Sequence, residues 1–416
     1  MQASNRIEMV DALRGFALLG LFMVHCVERF ELYWLDPQPD PWFNGAMAVF
    51  AGKAFAIFAL LFGFSFATIM ANERQRGGDF TWRFAWRLAL LFAIGTLHAL
   101  VYRGDILQVL AAVGLVMIPF DRLRSDKAAL AIALLLFLQV PLLARAWAAG
   151  EGAAWASAPA RFFLDSGLAT QATGTLAEAL ASNAGPGMVS KWSFYLETGR
   201  VVEIAGLFLV GMLLQRRAHF AEASARRRLW LGVAVASGVL WLAVSRLEPL
   251  ILPSAPEVGG TPVLRQSIEW FTGQWRALSA MAFQVAVFVL AWHTPLRRLL
   301  ATLVPAGRMT LTLYVGQSLV AALLLYGYGL GLYDDFSSAE MVLVGFAAFA
   351  LQLVLADLWF RHFRYGPLEW LWRAATHTTL RCAVPPGQRA FGRLNTRSAF
   401  SCMSIFLCWA LSCIPS

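Results

Sequence analysis

His98 and Asp105 stand seven residues apart in the stretch GTLHALVYRGDILQVL, on either side of a turn at Arg103 and Gly104. A turn that tight brings an imidazole and a carboxylate together. The carboxylate then fixes the imidazole tautomer and raises its basicity, which suits a general base. Asp11 and Arg14, three apart, share a helix face and can pair. His25 follows Arg14 by eleven residues, about 16 Å further along a helix. A neutral imidazole at that depth in lipid needs a partner. Lys53 lies about two turns inside the next apolar run and suits either snorkelling to the interface or holding an anionic group. Arg83 and Arg87, four apart on one helix face, could clamp phosphates. They serve equally as topology signals. Glu369 and Arg373, in GPLEWLWR, form an i,i+4 pair on an amphipathic interfacial helix. An ionisable side chain inside a membrane span costs several kcal/mol, so each is a candidate for function. The competing reading is a satisfied structural pair. No GxxxxGK[ST] loop, GxSxG elbow or HExxH pair occurs.

These residues need a scaffold, and composition says which kind. Of 416 residues, 59% are hydrophobic and 14% charged, against about 25% charged in soluble domains. Mean hydropathy is +0.60. So few charges cannot cover a soluble surface, which excludes a cytosolic enzyme, a disordered chain and a secreted disulfide scaffold. The net charge of +9 comes almost entirely from Arg; Lys53, Lys127 and Lys191 are the lysines. In this setting the excess suits anionic lipid headgroups rather than nucleic acid. The five cysteines include no CxxC pair, which argues against a metal site.

Apolar runs near 12–30, 45–70, 84–101, 106–120, 128–149, 201–215, 228–246, 277–292, 309–330 and 341–360 suit helical spans of about 20 residues. The reading is an all-α, polytopic membrane bundle of about ten transmembrane helices. The runs near 106–120 and 201–215 are short. Arg74, Arg83, Arg87, Arg122, Arg124, Arg216, Arg217, Arg226, Arg297, Arg308 and Arg361 all fall on one side. The positive-inside rule then places both termini in the cytoplasm. The longest loop, about 150–200, is external: short helices lying on the membrane, a lid over a cavity, or a plain spacer. Residues 1–377 read as the membrane domain. Residues 378–416 read as an atypical extension carrying Cys382, Cys402, Cys408 and Cys413.

The opening RIEMVDALRGFALLGLFMVH, the runs KAFAIFALLFGFSF and IGTLHALVYRGDIL, and the closing GRMTLTLYVGQS and RYGPLEWLWR resemble the YeiB-type bacterial membrane proteins, a family of unknown function. The resemblance covers about residues 6–377, in order. More distantly the chain resembles the transmembrane acyltransferases, which include the lysosomal heparan-glucosaminide N-acetyltransferase and the bacterial acyltransferase-three proteins. That likeness implies an acyltransferase-like fold of ten or more helices, a bacterial inner-membrane location and acyl-CoA, such as acetyl-CoA, as donor. It also implies a glycan or small-molecule acceptor. In the acyltransferase-three proteins an Arg or Lys precedes a His by ten intervening residues, and Arg14 and His25 match that spacing. YeiB-type sequences carry Asn at the place of His25. Arg83 and Arg87 resemble an Arg pair of the acyltransferase-three proteins, with one residue too many between them.

The expected activity is therefore acyl transfer. Arg83, Arg87 and Arg14 would hold the phosphates of acyl-CoA entering from the cytoplasm. His98 oriented by Asp105, or else His25, would deprotonate an acceptor hydroxyl or amine, or would itself take the acyl group. The rival is a transporter or permease for a small metabolite or lipid precursor, binding it with the same His, Lys53 and Arg side chains. Consumption of acyl-CoA discriminates the two. The sequence leaves formation of a homo-oligomer open.

Overall fold

Some helices in this chain start where a side chain takes up the free N–H groups of a first turn. Asp40 accepts from the Trp42 and Phe43 amides at 2.8 Å each, with Pro41 next in line. Thr175 with Glu178, and Ser337 with Glu340, form reciprocal capping boxes. Asp105 does the same before a later helix, its Oδ2 accepting from the Gln108 amide at 3.1 Å. A residue of the candidate dyad is thus also a helix cap.

The computed structural model describes residues 7–75, 77, 80–163, 167–253 and 263–377. The extension expected from residue 378 lies outside them. In chain order the helices are α1 (Glu8–Val27), α2 (Pro41–Phe50), α3 (Lys53–Gln75), α4 (Thr81–Val101), α5 (Leu107–Met117) and α6 (Asp126–Phe137). There follow α7 (Val140–Gly150), α8 (Leu168–Thr173), α9 (Leu176–Ser182), α10 (Met188–Glu197), α11 (Arg200–Arg216) and α12 (Arg227–Ile251). The last are α13 (Val263–Trp292), α14 (Arg297–Leu300), α15 (Val304–Arg308), α16 (Thr310–Leu325), α17 (Ser338–His362) and α18 (Pro367–His377). No strand occurs among the described residues.

The protein is a multi-pass membrane protein. Among the described residues, seven helical stretches are long and apolar enough to cross a bilayer: Glu8–Leu35, Pro41–Gln75, Thr81–Val101, Asp126–Gly150, Arg227–Ile251, Val263–Trp292 and Ser338–His362. An eighth is added if Arg297–Arg308 and Thr310–Leu325, bent by 78° at their junction, count as one span. Each of the ten expected runs falls on a helix, but the lengths do not give ten spans. The α5 helix has 11 residues and α11 has 17, whereas about 20 are needed.

Burial sorts the spans into centre and rim. Within the window of Glu8–Leu35, 72% of residues are buried in the protein; within Arg227–Ile251, 17% are. The α1 helix is therefore the central post, packed by α3, α13, α15, α16 and α17. The α12 and α17 helices turn Val235, Val239, Leu343 and Leu351 outward. In water those rows would be a large apolar patch; in a bilayer they face lipid. Without a hydrophobic drive between helices in lipid, close packing holds them together. The α3 and α11 helices meet through glycines: a Cβ on Gly63 would overlap the Phe208 carbonyl, and one on Gly211 the Leu60 carbonyl.

The long loop after α7 is not a plain spacer. Its helices α8, α9 and α10 fold back against the bundle, touching the turn after α1, α4 and α11 respectively. That turn is itself unusual. Arg29, Phe30 and Glu31 all have positive φ, of 46°, 48° and 86°, a conformation that costs a non-glycine residue of order 1–3 kcal/mol. The surroundings hold it. Arg29 donates to the Phe336 carbonyl at 2.9 Å, Arg103 to Glu31 at 2.5 Å, and the Tyr326 hydroxyl to the Phe30 carbonyl at 3.2 Å.

Candidate active site

The α4–α5 junction brings His98 and Asp105 together. The Tyr102 amide closes on the His98 carbonyl and the Asp105 amide on the Tyr102 carbonyl, at 2.9 and 3.2 Å. The chain reverses within that span, and His98 Nδ1 lies 2.8 Å from Asp105 Oδ1. An ionised carboxylate only accepts, so the proton sits on Nδ1 and the Nε2 lone pair is free. Both side chains are buried. Nε2 is itself buried and has no hydrogen-bond partner among the described residues. A buried polar atom left unpaired is uncommon in a folded protein, and this one carries the basic lone pair.

Two further buried side chains complete the network. Lys191, from α10, donates to Asp105 Oδ2 at 3.3 Å and to Gln108 Oε1 at 2.5 Å. Gln108 in turn donates to the Thr96 hydroxyl at 2.7 Å. Asp105 thus receives His98, Lys191 and the Gln108 amide. Burial lowers the Lys191 ammonium from its usual value, and Asp105 works against that shift. Lys191 was not among the sequence candidates. The signal was there in its rarity, as one of three lysines, yet its 86-residue separation from Asp105 hid the pairing.

Rings flank the imidazole. Tyr314 of α16 lies 5.3 Å from His98 between centroids, and Tyr102 lies 5.9 Å away. The Tyr102 hydroxyl is 2.9 Å from His25 Nδ1, which answers the need of that intramembrane histidine for a partner. His25 and His98 are therefore neighbours through one tyrosine. Tyr314 is fixed by the Ile106 amide, which donates to its hydroxyl at 3.2 Å.

On the other side of Tyr314 a cavity of about 850 Å³ runs to the end of the bundle that carries Ile7. Its inner wall is Leu21, Leu91, Ile106, Leu107 and Tyr314. Its outer wall carries Arg14, Arg87, Arg308 and Glu369. Each arginine is held in place. Arg14 bonds Asp11 and the Ser65 hydroxyl, both at 2.6 Å. The Arg87 guanidinium lies 3.8 Å over Trp372, whose indole donates to the Arg87 carbonyl. That of Arg308 lies 4.0 Å over Phe360. Glu369 accepts from the Leu311 and Thr312 amides and the Thr312 hydroxyl, at 2.6, 3.1 and 2.6 Å, fixing α18 to the start of α16. Burial raises its carboxyl above the ordinary carboxylate range, and those donors pull the other way.

The expected arginine clamp divides. Arg87 lines the cavity, while Arg83, one turn nearer the helix start, is exposed and lies beside Phe80. Arg308, which the sequence reading took as a topology signal, stands on the wall instead. Lys53 donates to the Met47 carbonyl at 3.3 Å and neither touches the dyad nor lines the cavity. The geometry thus joins His98, Asp105 and His25 in one cluster and Arg14 and Arg87 in one cavity. It leaves Arg83 and Lys53 apart from both.

Comparison with known proteins covers both the cluster and the cavity. The family model described as "Heparan-alpha-glucosaminide N-acetyltransferase, catalytic" matches residues 6–161, the stretch holding Arg14, His25, His98 and Asp105. The model described as "Protein of unknown function (DUF418)" matches residues 214–379, which hold Arg308, Tyr314 and Glu369. The uncharacterized protein YxaH of Bacillus subtilis is 26% identical, over 90% of this chain and 95% of its own. The uncharacterized protein YeiB of Escherichia coli K12 is also 26% identical, over 90% and 97%. An uncharacterized 39.9 kDa protein of Bacillus acidopullulyticus is 25% identical, over 90% and 94%. The chain is thus similar over nearly its whole length to the uncharacterized bacterial proteins YxaH and YeiB, and its first part is similar to the catalytic model of an N-acetyltransferase family.

Proposed function

We propose that this protein transfers an acyl group from acyl-CoA to an acceptor hydroxyl or amine, on a glycan or a small molecule, across a bacterial inner membrane. The observation that carries the reading is the unpartnered Nε2 of His98, buried just beyond a cavity lined by arginines. Its other ring nitrogen is held by Asp105. On the positive-inside reading of the sequence the mouth of that cavity would face the cytoplasm, where acyl-CoA is made.

Arg87, Arg308 and Arg14 would receive the donor's phosphates, for which guanidinium groups suit charge-assisted bonds. The apolar inner wall suits the pantetheine arm and directs the thioester toward Tyr314 and His98. At the dyad, Nε2 takes the proton of the acceptor as its oxygen or nitrogen attacks the thioester carbonyl. Asp105 stabilises the imidazolium that forms. The carbon–sulfur bond breaks, and the departing thiolate takes that proton, giving free CoA and the acylated acceptor. In the covalent variant Nε2 attacks the carbonyl itself and the carbon–sulfur bond breaks, releasing the CoA thiolate; the acceptor oxygen or nitrogen then attacks the acyl-imidazole, the bond to Nε2 breaks, and the acceptor's proton passes to the thiolate. The name of the matched N-acetyltransferase family points to amino sugars as first acceptors to try.

Calorimetric titration of acetyl-CoA into the purified protein in detergent tests the reading. The expected result is saturable binding that an Arg87→Ala/Arg308→Ala variant loses. A well-folded wild type that binds no acetyl-CoA overturns it and favours a transporter, which uptake into sealed vesicles would then reveal.

A further inference from the structure

Asp105 has no exposed surface. A buried carboxylate is tolerated when a counter-charge lies against it. Its three donors differ in kind. The Gln108 amide is neutral, and the imidazole of His98 is charged only when it binds a second proton. Lys191 alone of the three brings a charge of its own, from a side chain that is 2% exposed. The other titratable groups near the dyad have partners of their own. Glu31 is paired with Arg103, Glu28 accepts from the Trp34 indole at 3.1 Å, the Arg200 guanidinium lies over the Phe55 and Phe194 rings, and His25 faces the Tyr102 hydroxyl.

From this charge count we propose that Lys191 is a positioning residue of the dyad, balancing Asp105 at rest so that His98 remains a neutral imidazole. A second proton on His98 would place a buried N–H at Nε2, where no acceptor stands, and a buried donor left unpaired is costly. With Lys191 present that proton is not needed. Without it, the carboxylate's remaining counter-charge is a proton taken up by the dyad, and the base is lost. Lys191 also fixes the place of α10 in the mechanism. Through α10 the folded loop reaches the dyad, and its lysine sets the charge there. The catalytic meaning of the assignment rests on the acyl-transfer reading; the charge state of His98 does not.

The test uses full-length protein labelled with 15N-histidine, in detergent, with the His98 resonances identified by their loss in His98→Gln. The wild type is expected to show a neutral ring protonated at Nδ1. Lys191→Met is expected to show the imidazolium at neutral pH, and Lys191→Arg, which keeps the charge, the neutral ring. In the same proteins, release of CoA thiol from acetyl-CoA with glucosamine as probe acceptor gives a second readout. Lys191→Met lowers kcat by about 10²-fold, the scale of a lost general base, with KM for acetyl-CoA unchanged and Lys191→Arg restoring turnover. Should Lys191→Met not fold, Lys191→Gln carries the same comparison, since it keeps a donor for Gln108 but no charge. An imidazolium in the wild type, or a neutral ring in the uncharged variant, overturns the proposal. A wild type that releases no thiol overturns acyl transfer instead, and the resonances still decide the charge assignment.

Discussion

Replacing His98 by Gln separates chemistry from architecture. A glutamine can still donate to Asp105, and Asp105 keeps Lys191 at 3.3 Å and the Gln108 amide at 3.1 Å. The carboxylate stays paired and α5 stays capped, so the α4–α5 turn should hold. What is lost is the basic nitrogen. A positioned general base contributes about 10²–10⁴-fold to rate, which at 1.36 kcal/mol per tenfold is about 2.7–5.4 kcal/mol of transition-state stabilisation. The cavity wall does not include His98, so the affinity for acetyl-CoA should stay at the wild-type value. The assay is thiol release from acetyl-CoA with glucosamine as acceptor, paired with calorimetry. The expected pattern is unchanged binding with kcat down by that factor. A His98→Gln protein that turns over at the wild-type rate would refute the base assignment outright.

Three other outcomes follow from the geometry. Arg87→Ala should weaken acetyl-CoA binding roughly 10- to 150-fold in calorimetry, from the about 1.5–3 kcal/mol of a hydrogen bond to a charged group. Arg83→Ala, on an exposed arginine outside the cavity, should bind as the wild type does. His25→Asn should retain turnover, because an asparagine oxygen can still accept from the Tyr102 hydroxyl; loss of turnover on the scale of His98→Gln would move the base to His25. Gly211→Val forces a side chain into the Leu60 backbone and should lower the unfolding temperature in detergent, by an overpacking cost of about 1–3 kcal/mol or more. Gly316→Val, at a position with open space, should leave that temperature unchanged.

What could be read from the sequence depended on distance along the chain. His98 and Asp105 were legible because a four-residue reversal fixes their meeting. The membrane class was legible because composition is independent of topology. Lys191 was not, since nothing local links a loop lysine to a helix cap 86 residues earlier. Arg308 was not singled out because an arginine beside a span already has a topological explanation; its place on the cavity wall depends on packing that the sequence does not show. Spacing paired Arg83 with Arg87, but one helical turn, about 6 Å, was enough to put one in the cavity and the other outside it. Hydropathy marks the runs of α5 and α11 as apolar but does not fix where a helix ends, and the helices have 11 and 17 residues. The strained turn at Arg29, Phe30 and Glu31 left no trace in residue type, having no glycine.

Proteoliposomes with glucosamine enclosed and acetyl-CoA added outside test the central claim most directly. Acyl transfer across the bilayer predicts free CoA thiol outside, matched one for one by N-acetylglucosamine inside, with both absent for His98→Gln. Glucosamine crossing the membrane unchanged, with acetyl-CoA intact, would contradict the account.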